Sequence, residues 1–122
     1  MKKKVLGIVG SLELELEGRD DTAILILSGQ IDSYTAEEIT KIIESHISQG
    51  NLKIIVDLAK VDYLDSAGLS ALISCKIKLS KRNGALKLVG LAGKAKDVFE
   101  ITGMTQMFEI FETREDAFKS LS

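Results

Sequence analysis

A chain of 122 residues, 45% hydrophobic and 28% charged, has the length and balance of one folded globular domain and not of a disordered protein. With 16 Lys and Arg against 18 Asp and Glu, a net charge of -2 and no basic cluster, it lacks the charge pattern of a nucleic-acid binder. No apolar run reaches the roughly 18 residues of a membrane span, and a single cysteine excludes an internal disulfide, so we expect a cytoplasmic protein without membrane insertion.

The first half of the chain predicts a β-hairpin followed by a helix. Leucines alternate with glutamates over residues 12–17, the period of a strand with one buried face, and the apolar run 23–27 predicts a second strand. We expect these two strands to pair antiparallel. Isoleucines then recur at helical spacing, which predicts a helix over about 36–49, with Thr35 and Glu38 as a capping box.

The second half alternates strand and helix patterns. Residues 54–56 predict a short buried strand that ends in a loop at Asp57, and a helix is expected from about Ser66 to just before Asn83. The remaining predicted elements are a strand at 86–89, a helix at 94–102, a strand at 108–111 and a terminal helix capped by Thr113 with Asp116. Strands separated by single helices imply parallel crossovers, so we predict an α/β fold.

Candidates for enzyme chemistry are few. His46 is the only histidine and has no second histidine or cysteine at metal-ligand spacing, so we expect it on the surface or in helix packing. Cys75 lies in an apolar helical run and is expected to be a buried hydrophobic residue. The glycines form neither a dinucleotide nor a P-loop pattern. We therefore predict no catalytic residue, cofactor or metal.

The most informative segment joins a buried strand to a helix through Asp65-Ser66-Ala67-Gly68. Either Asp65 or Ser66 is expected to cap the helix, and Gly68 to allow close packing. A serine at a helix N-terminus is also accessible to a kinase, and a phosphate there meets free amides and the positive end of the helix dipole. The two interpretations are compatible, because a residue at a cap is also open to modification.

The order of elements, Gly29-Gln-Ile-Asp32, and above all the segment from Asp57 to Leu69 with its Asp-Ser-Ala-Gly-Leu end resemble the STAS domain of bacterial anti-sigma factor antagonists. The resemblance covers nearly the whole chain. It implies the STAS (SpoIIAA-like) fold, with a mixed sheet of four to five strands and about four helices packed mainly on one face.

The resemblance also implies a partner switch. The unphosphorylated antagonist would bind an anti-sigma factor that is also a serine kinase of the GHKL type, and so release a sigma factor. Phosphorylation of Ser66 would end this binding, and a PP2C-type phosphatase would restore it. Leu69 or Ser70 is expected to be exposed and to supply contacts. The expected partner-binding residues are Asp32, Asp65, Ala67, Gly68, Leu69 and Ser70.

The domain is expected over residues 11–122, and residues 1–10 are an N-terminal extension of open role: a strand at the sheet edge, a dimer contact or a tail. Two other functions remain open. One is a non-phosphorylated STAS adaptor of a membrane transport or signalling complex, in which the helix starting at Ser66 docks on a partner. The other is an enzyme that holds a divalent metal through an acidic group, which would be Asp32, Asp57, Asp62 and Asp65.

Overall fold

A computed structural model describes residues 2–122, which form a six-stranded mixed sheet and four α-helices. The strands are β1 Lys2–Val9, β2 Leu12–Arg19, β3 Thr22–Ile31, β4 Lys53–Leu64, β5 Ala85–Val89 and β6 Glu109–Phe111. The helices are α1 Ser33–Ser48, α2 Ser66–Ser80, α3 Gly93–Ile101 and α4 Arg114–Ser120, with a 3-10 turn at Met104–Met107. None of these helices is long and apolar enough to cross a membrane.

The strands lie in the sheet in their chain order. β1, β2 and β3 pair antiparallel through short turns, and β3, β4, β5 and β6 pair parallel, because a helix crosses between each successive pair. The predicted α/β fold, hairpin and parallel crossovers are confirmed. The sheet has six strands where four to five were expected, because residues 2–9 form β1 at its edge.

β4 is much longer than predicted. It does not end in a loop at Asp57 but continues to Leu64, and this second half pairs with the end of β3. The pairing shifts register twice, so the buried residues Leu58, Val61 and Leu64 fall at a spacing of three. An alternation of buried and exposed residues, by which strands are recognised in a sequence, is therefore missing from this part of β4.

Three of the four helices pack on one face of the sheet and one on the other. This confirms the prediction that the helices pack mainly on one face. α1, α2 and α3 bury one face in the main core, whose fully buried members include Leu14, Ile39, Leu72 and Phe99. α4 alone covers a smaller cluster on the other face, formed by Ile24, Ile26, Ile55, Val89 and Ala117.

The two residues excluded from chemistry lie in the helices as predicted. Cys75 is fully buried in the main core, and burial raises the pKa of its thiol to about 11. It therefore packs as a hydrophobic residue and stays protonated. His46 is half-buried on α1, and burial lowers the pKa of its imidazole.

An ion pair fastens α4 to the sheet. The Asp57 carboxylate, only 6% exposed, accepts a hydrogen bond of 2.6 Å from Arg114 Nε at the start of α4 and another of 2.9 Å from the Ala59 amide. Arg114 also lies 3.4 Å from the Glu17 carboxylate on β2. Since a buried carboxylate needs compensating partners, Arg114 sets where α4 docks.

We predict that Arg114→Met lowers the free energy of unfolding by about 2 kcal/mol, the usual worth of a hydrogen bond to a charged group, because Asp57 loses its cation. The control is Lys119→Met, an exposed position on the same helix, where a change within about 0.5 kcal/mol is expected. Urea unfolding followed by circular dichroism measures both. Equal stability of the two variants would contradict the assigned role of Arg114.

Candidate functional site

Two helix N-termini lie side by side at the carboxyl ends of β3 and β4. β3 and β4 are adjacent parallel strands, and their last residues, Ile31 and Leu64, are paired. The Asp65 amide extends this pairing by donating to the Ile31 carbonyl at 3.2 Å. Since α1 follows β3 and α2 follows β4 after one residue each, both helices begin next to each other.

Asp65 is the cap of α2, which decides between the two predicted candidates. Its Oδ1 accepts a hydrogen bond of 3.0 Å from the Gly68 amide. Ser66 is the first helical residue, and its side chain is exposed. The cap is thus provided without the Ser66 hydroxyl, which is left available at the surface.

Asp32 holds the same position on α1, which begins at Ser33 and not at residue 36. Its Oδ1 accepts from the Tyr34 and Thr35 amides at 3.0 and 2.9 Å, and the Thr35 hydroxyl accepts from the Asp32 amide at 2.8 Å. The capping box is therefore Asp32 with Thr35, and the predicted Thr35–Glu38 box is wrong. These hydrogen bonds, led by the one from the Thr35 amide, hold the pKa of Asp32 below its usual range.

Gly68 allows α2 to pack against the end of β3. A Cβ at this position would lie 2.7 Å from Ile31 Cγ2 and 3.1 Å from the Ile31 carbonyl oxygen, closer than ordinary van der Waals contact. The glycine therefore fixes the separation between the two helix N-termini. Gly68 is buried, which does not fit its predicted role as a partner-binding contact.

The expected contact residues differ in accessibility. Ser70 is exposed, Asp32, Asp65 and Ala67 are half-buried, and Leu69 is only 5% exposed. The prediction that Leu69 is exposed for contact is wrong, since its side chain points into the main core together with Leu72 and Leu79. The predicted site residues of α2 that reach the surface are therefore Ser66, Ala67 and Ser70.

A shallow groove of about 490 Å³ separates α1 from α2. Its lining consists mainly of small side chains, and Glu37, Lys41 and Glu44 contribute charge. The small residues are Ser33, Ala36, Thr40, Ala67, Ser70, Ala71 and Ser74.

Two aromatic side chains that sequence reasoning missed are exposed near the helix N-termini, Tyr34 at 66% on α1 and Tyr63 at 43% on β4. Exposed tyrosines are frequent at interfaces, although nothing in the local sequence pattern marks either as exposed.

The acidic residues considered for a metal do not form one group. Asp32 and Asp65 are engaged as helix caps, and Asp57 is paired with Arg114 under α4. Within residues 2–122, no three His, Cys, Asp or Glu side chains are placed to hold a metal ion. The hypothesis of a metal enzyme built on these four aspartates therefore has no support in their arrangement.

Comparison with known proteins gives a consistent result. The STAS domain family model matches residues 13–117. An anti-sigma-B factor antagonist of Listeria monocytogenes is 32% identical over 101 residues, which cover 82% of this chain and 89% of the relative.

Two solved structures share the fold. An anti-sigma factor antagonist from Mycobacterium paratuberculosis superposes with a TM-score of 0.82 at 25% identity, covering 91% of this chain and 94% of the other. The anti-sigma factor antagonist SpoIIAA in its unphosphorylated form has a TM-score of 0.77 at 24% identity, with coverage of 88% and 94%.

The packing at Gly68 generates a prediction. Gly68→Ala is expected to lower the free energy of unfolding by about 1–3 kcal/mol, because the added methyl group overpacks against Ile31. Gly18→Ala is the matched control, since a Cβ there meets no atom within 4 Å. Chemical denaturation of both variants tests this, and a Gly68→Ala protein as stable as the control would rule out the close approach.

The cap at Asp32 predicts a pH dependence. Because its folded-state pKa is depressed, its charge stabilises the fold above the ordinary aspartate pKa, and this contribution is lost as the pH falls through the depressed value. Asp32→Asn should therefore be less stable than wild type near neutral pH, with the difference shrinking as the pH falls below the ordinary aspartate pKa. Asp97→Asn, an exposed site on α3, controls for charge removal. A pH-independent difference would contradict this account.

Proposed function

The chain belongs to the STAS domain family, and we propose that it is an anti-sigma factor antagonist that acts in the cytoplasm by binding a partner and not by catalysis. The observation that carries this proposal is the exposed Ser66 at the first position of α2, beside the capping Asp65. The similarity to the Listeria antagonist over most of both chains supports it.

In this proposal the unphosphorylated chain binds an anti-sigma factor that is also a serine kinase of the GHKL type, and a PP2C-type phosphatase reverses the modification. Binding uses the edge where α1 and α2 begin, with Asp32, Asp65, Ala67 and Ser70 beside Ser66. Leu69 and Gly68 are buried beneath this surface and fix the position of α2.

Ser66 suits a switch because a phosphate there changes the surface and spares the core. The first-turn amides of a helix have no partner within the helix, and the Asp65 cap engages only that of Gly68. The Ser66 and Ala67 amides are therefore left available to a phosphate on Ser66, together with the positive end of the helix dipole. The modification adds about -1.5 to -2 charge beside Asp32 and Asp65.

The added charge is expected to repel the partner. Ser66→Glu should weaken binding to the anti-sigma factor of the same organism at least about tenfold, or about 1.4 kcal/mol, while Ser66→Ala should retain binding. Ser80→Glu adds the same charge at the exposed far end of α2 and should bind as wild type does. Isothermal titration calorimetry with purified proteins measures these affinities.

Equal affinities for wild type and Ser66→Glu would contradict the switch and favour the fixed STAS adaptor. Failure of the wild-type chain to bind the anti-sigma factor would contradict the antagonist function itself. Weakening by Ser80→Glu as large as that by Ser66→Glu would show a general charge effect and remove the special role of Ser66.

A further inference from the structure

The dipeptide Asp-Ser occurs twice, each time where a parallel strand gives way to a helix. Asp32-Ser33 follows Ile31 at the end of β3, and Asp65-Ser66 follows Leu64 at the end of β4. In both cases the aspartate is the helix cap, and the serine is the first helical residue with an exposed side chain.

The two serines begin neighbouring helices. Ile31 and Leu64 are paired in the sheet, and the Asp65 amide donates to the Ile31 carbonyl, so α1 and α2 start side by side. Ser33 also lines the groove between α1 and α2, together with Ala67 and Ser70. A kinase that reaches Ser66 at the start of α2 thus has a second exposed hydroxyl at the start of the adjacent helix.

Ser33 takes no part in the cap of its own helix. The reciprocal hydrogen bonds at the start of α1 join Asp32 with Thr35, and the remaining one joins Asp32 with the Tyr34 amide. A modified Ser33 therefore leaves the cap intact. We propose that Ser33 is a second phosphoacceptor, modified by the same serine kinase that acts on Ser66; this inference rests on the proposed function.

The reaction is the ordinary transfer from ATP. The Ser33 Oγ forms a bond to the γ-phosphorus, the bond from that phosphorus to the β,γ-bridging oxygen breaks, and ADP leaves with the bridging oxygen. The hydroxyl proton passes to a base of the kinase. The product is a phosphomonoester on Ser33 with no redox change.

The two sites differ in how well they accommodate the product. Asp32 engages two first-turn amides of α1, whereas Asp65 engages one of α2. A phosphate on Ser33 therefore meets fewer available amides than one on Ser66, and it lies close to Asp32 and the exposed Glu37. Ser66 is thus the preferred acceptor, and Ser33 is modified more slowly.

The test is site-resolved phosphopeptide mass spectrometry after incubating the full chain with ATP and an extract of the cells that produce it. The variants are Ser33→Ala, Ser66→Ala and the double variant, with Ser45→Ala as control for an exposed serine elsewhere on α1. Circular dichroism confirms that each variant folds, and an added unrelated kinase substrate shows that the extract is active.

We expect phosphate on Ser66 and, at lower occupancy, on Ser33 in wild type and Ser45→Ala. Ser66→Ala should keep the Ser33 signal, and the double variant should lose both. Phosphate on Ser66 alone, in wild type and in Ser33→Ala, would overturn this inference and leave the proposed function standing. Absence of phosphate from both serines in an active extract would overturn the inference and the proposed kinase switch together.

Discussion

The parallel pairing of β3 with β4 is the constraint on which the site depends. It brings the last residues of both strands into one register and so starts α1 and α2 at the same edge of the sheet. Gly68 then sets how closely α2 approaches Ile31. The two caps, Asp32 and Asp65, complete an arrangement in which serines, carboxylates and helix dipoles share one surface.

This arrangement separates the proposed phosphorylation site, Ser66, from the packing that holds the fold together. The main core is closed by buried side chains such as Leu69, whose burial holds α2 in place, while Ser66 lies outside that core. On the opposite face, α4 is held by Asp57 and Arg114, away from the helix N-termini. A charge added at Ser66 is therefore expected to leave these packing contacts in place, because none of them includes its hydroxyl.

Elements with a regular period could be predicted from the sequence, and irregular ones could not. β2 and α1 follow clear periods, whereas the second half of β4 is interrupted by register shifts that only pairing with β3 reveals. Ser66 and Asp65 were recognisable from the Asp-Ser-Ala-Gly sequence. The burial of Leu69 was also readable, because it lies on the helical stripe with Leu72, but the exposure of Tyr34 and Tyr63 depends on tertiary packing.

The most direct test of the central claim is an amide NMR spectrum of the chain phosphorylated on Ser66, compared with that of the unmodified chain. If the phosphate changes the surface and not the fold, shifts should be confined to the edge formed by residues 30–36 and 62–71. Shifts spread through β5, α3 and α4 would contradict the account, since they would show that the modification rearranges the core.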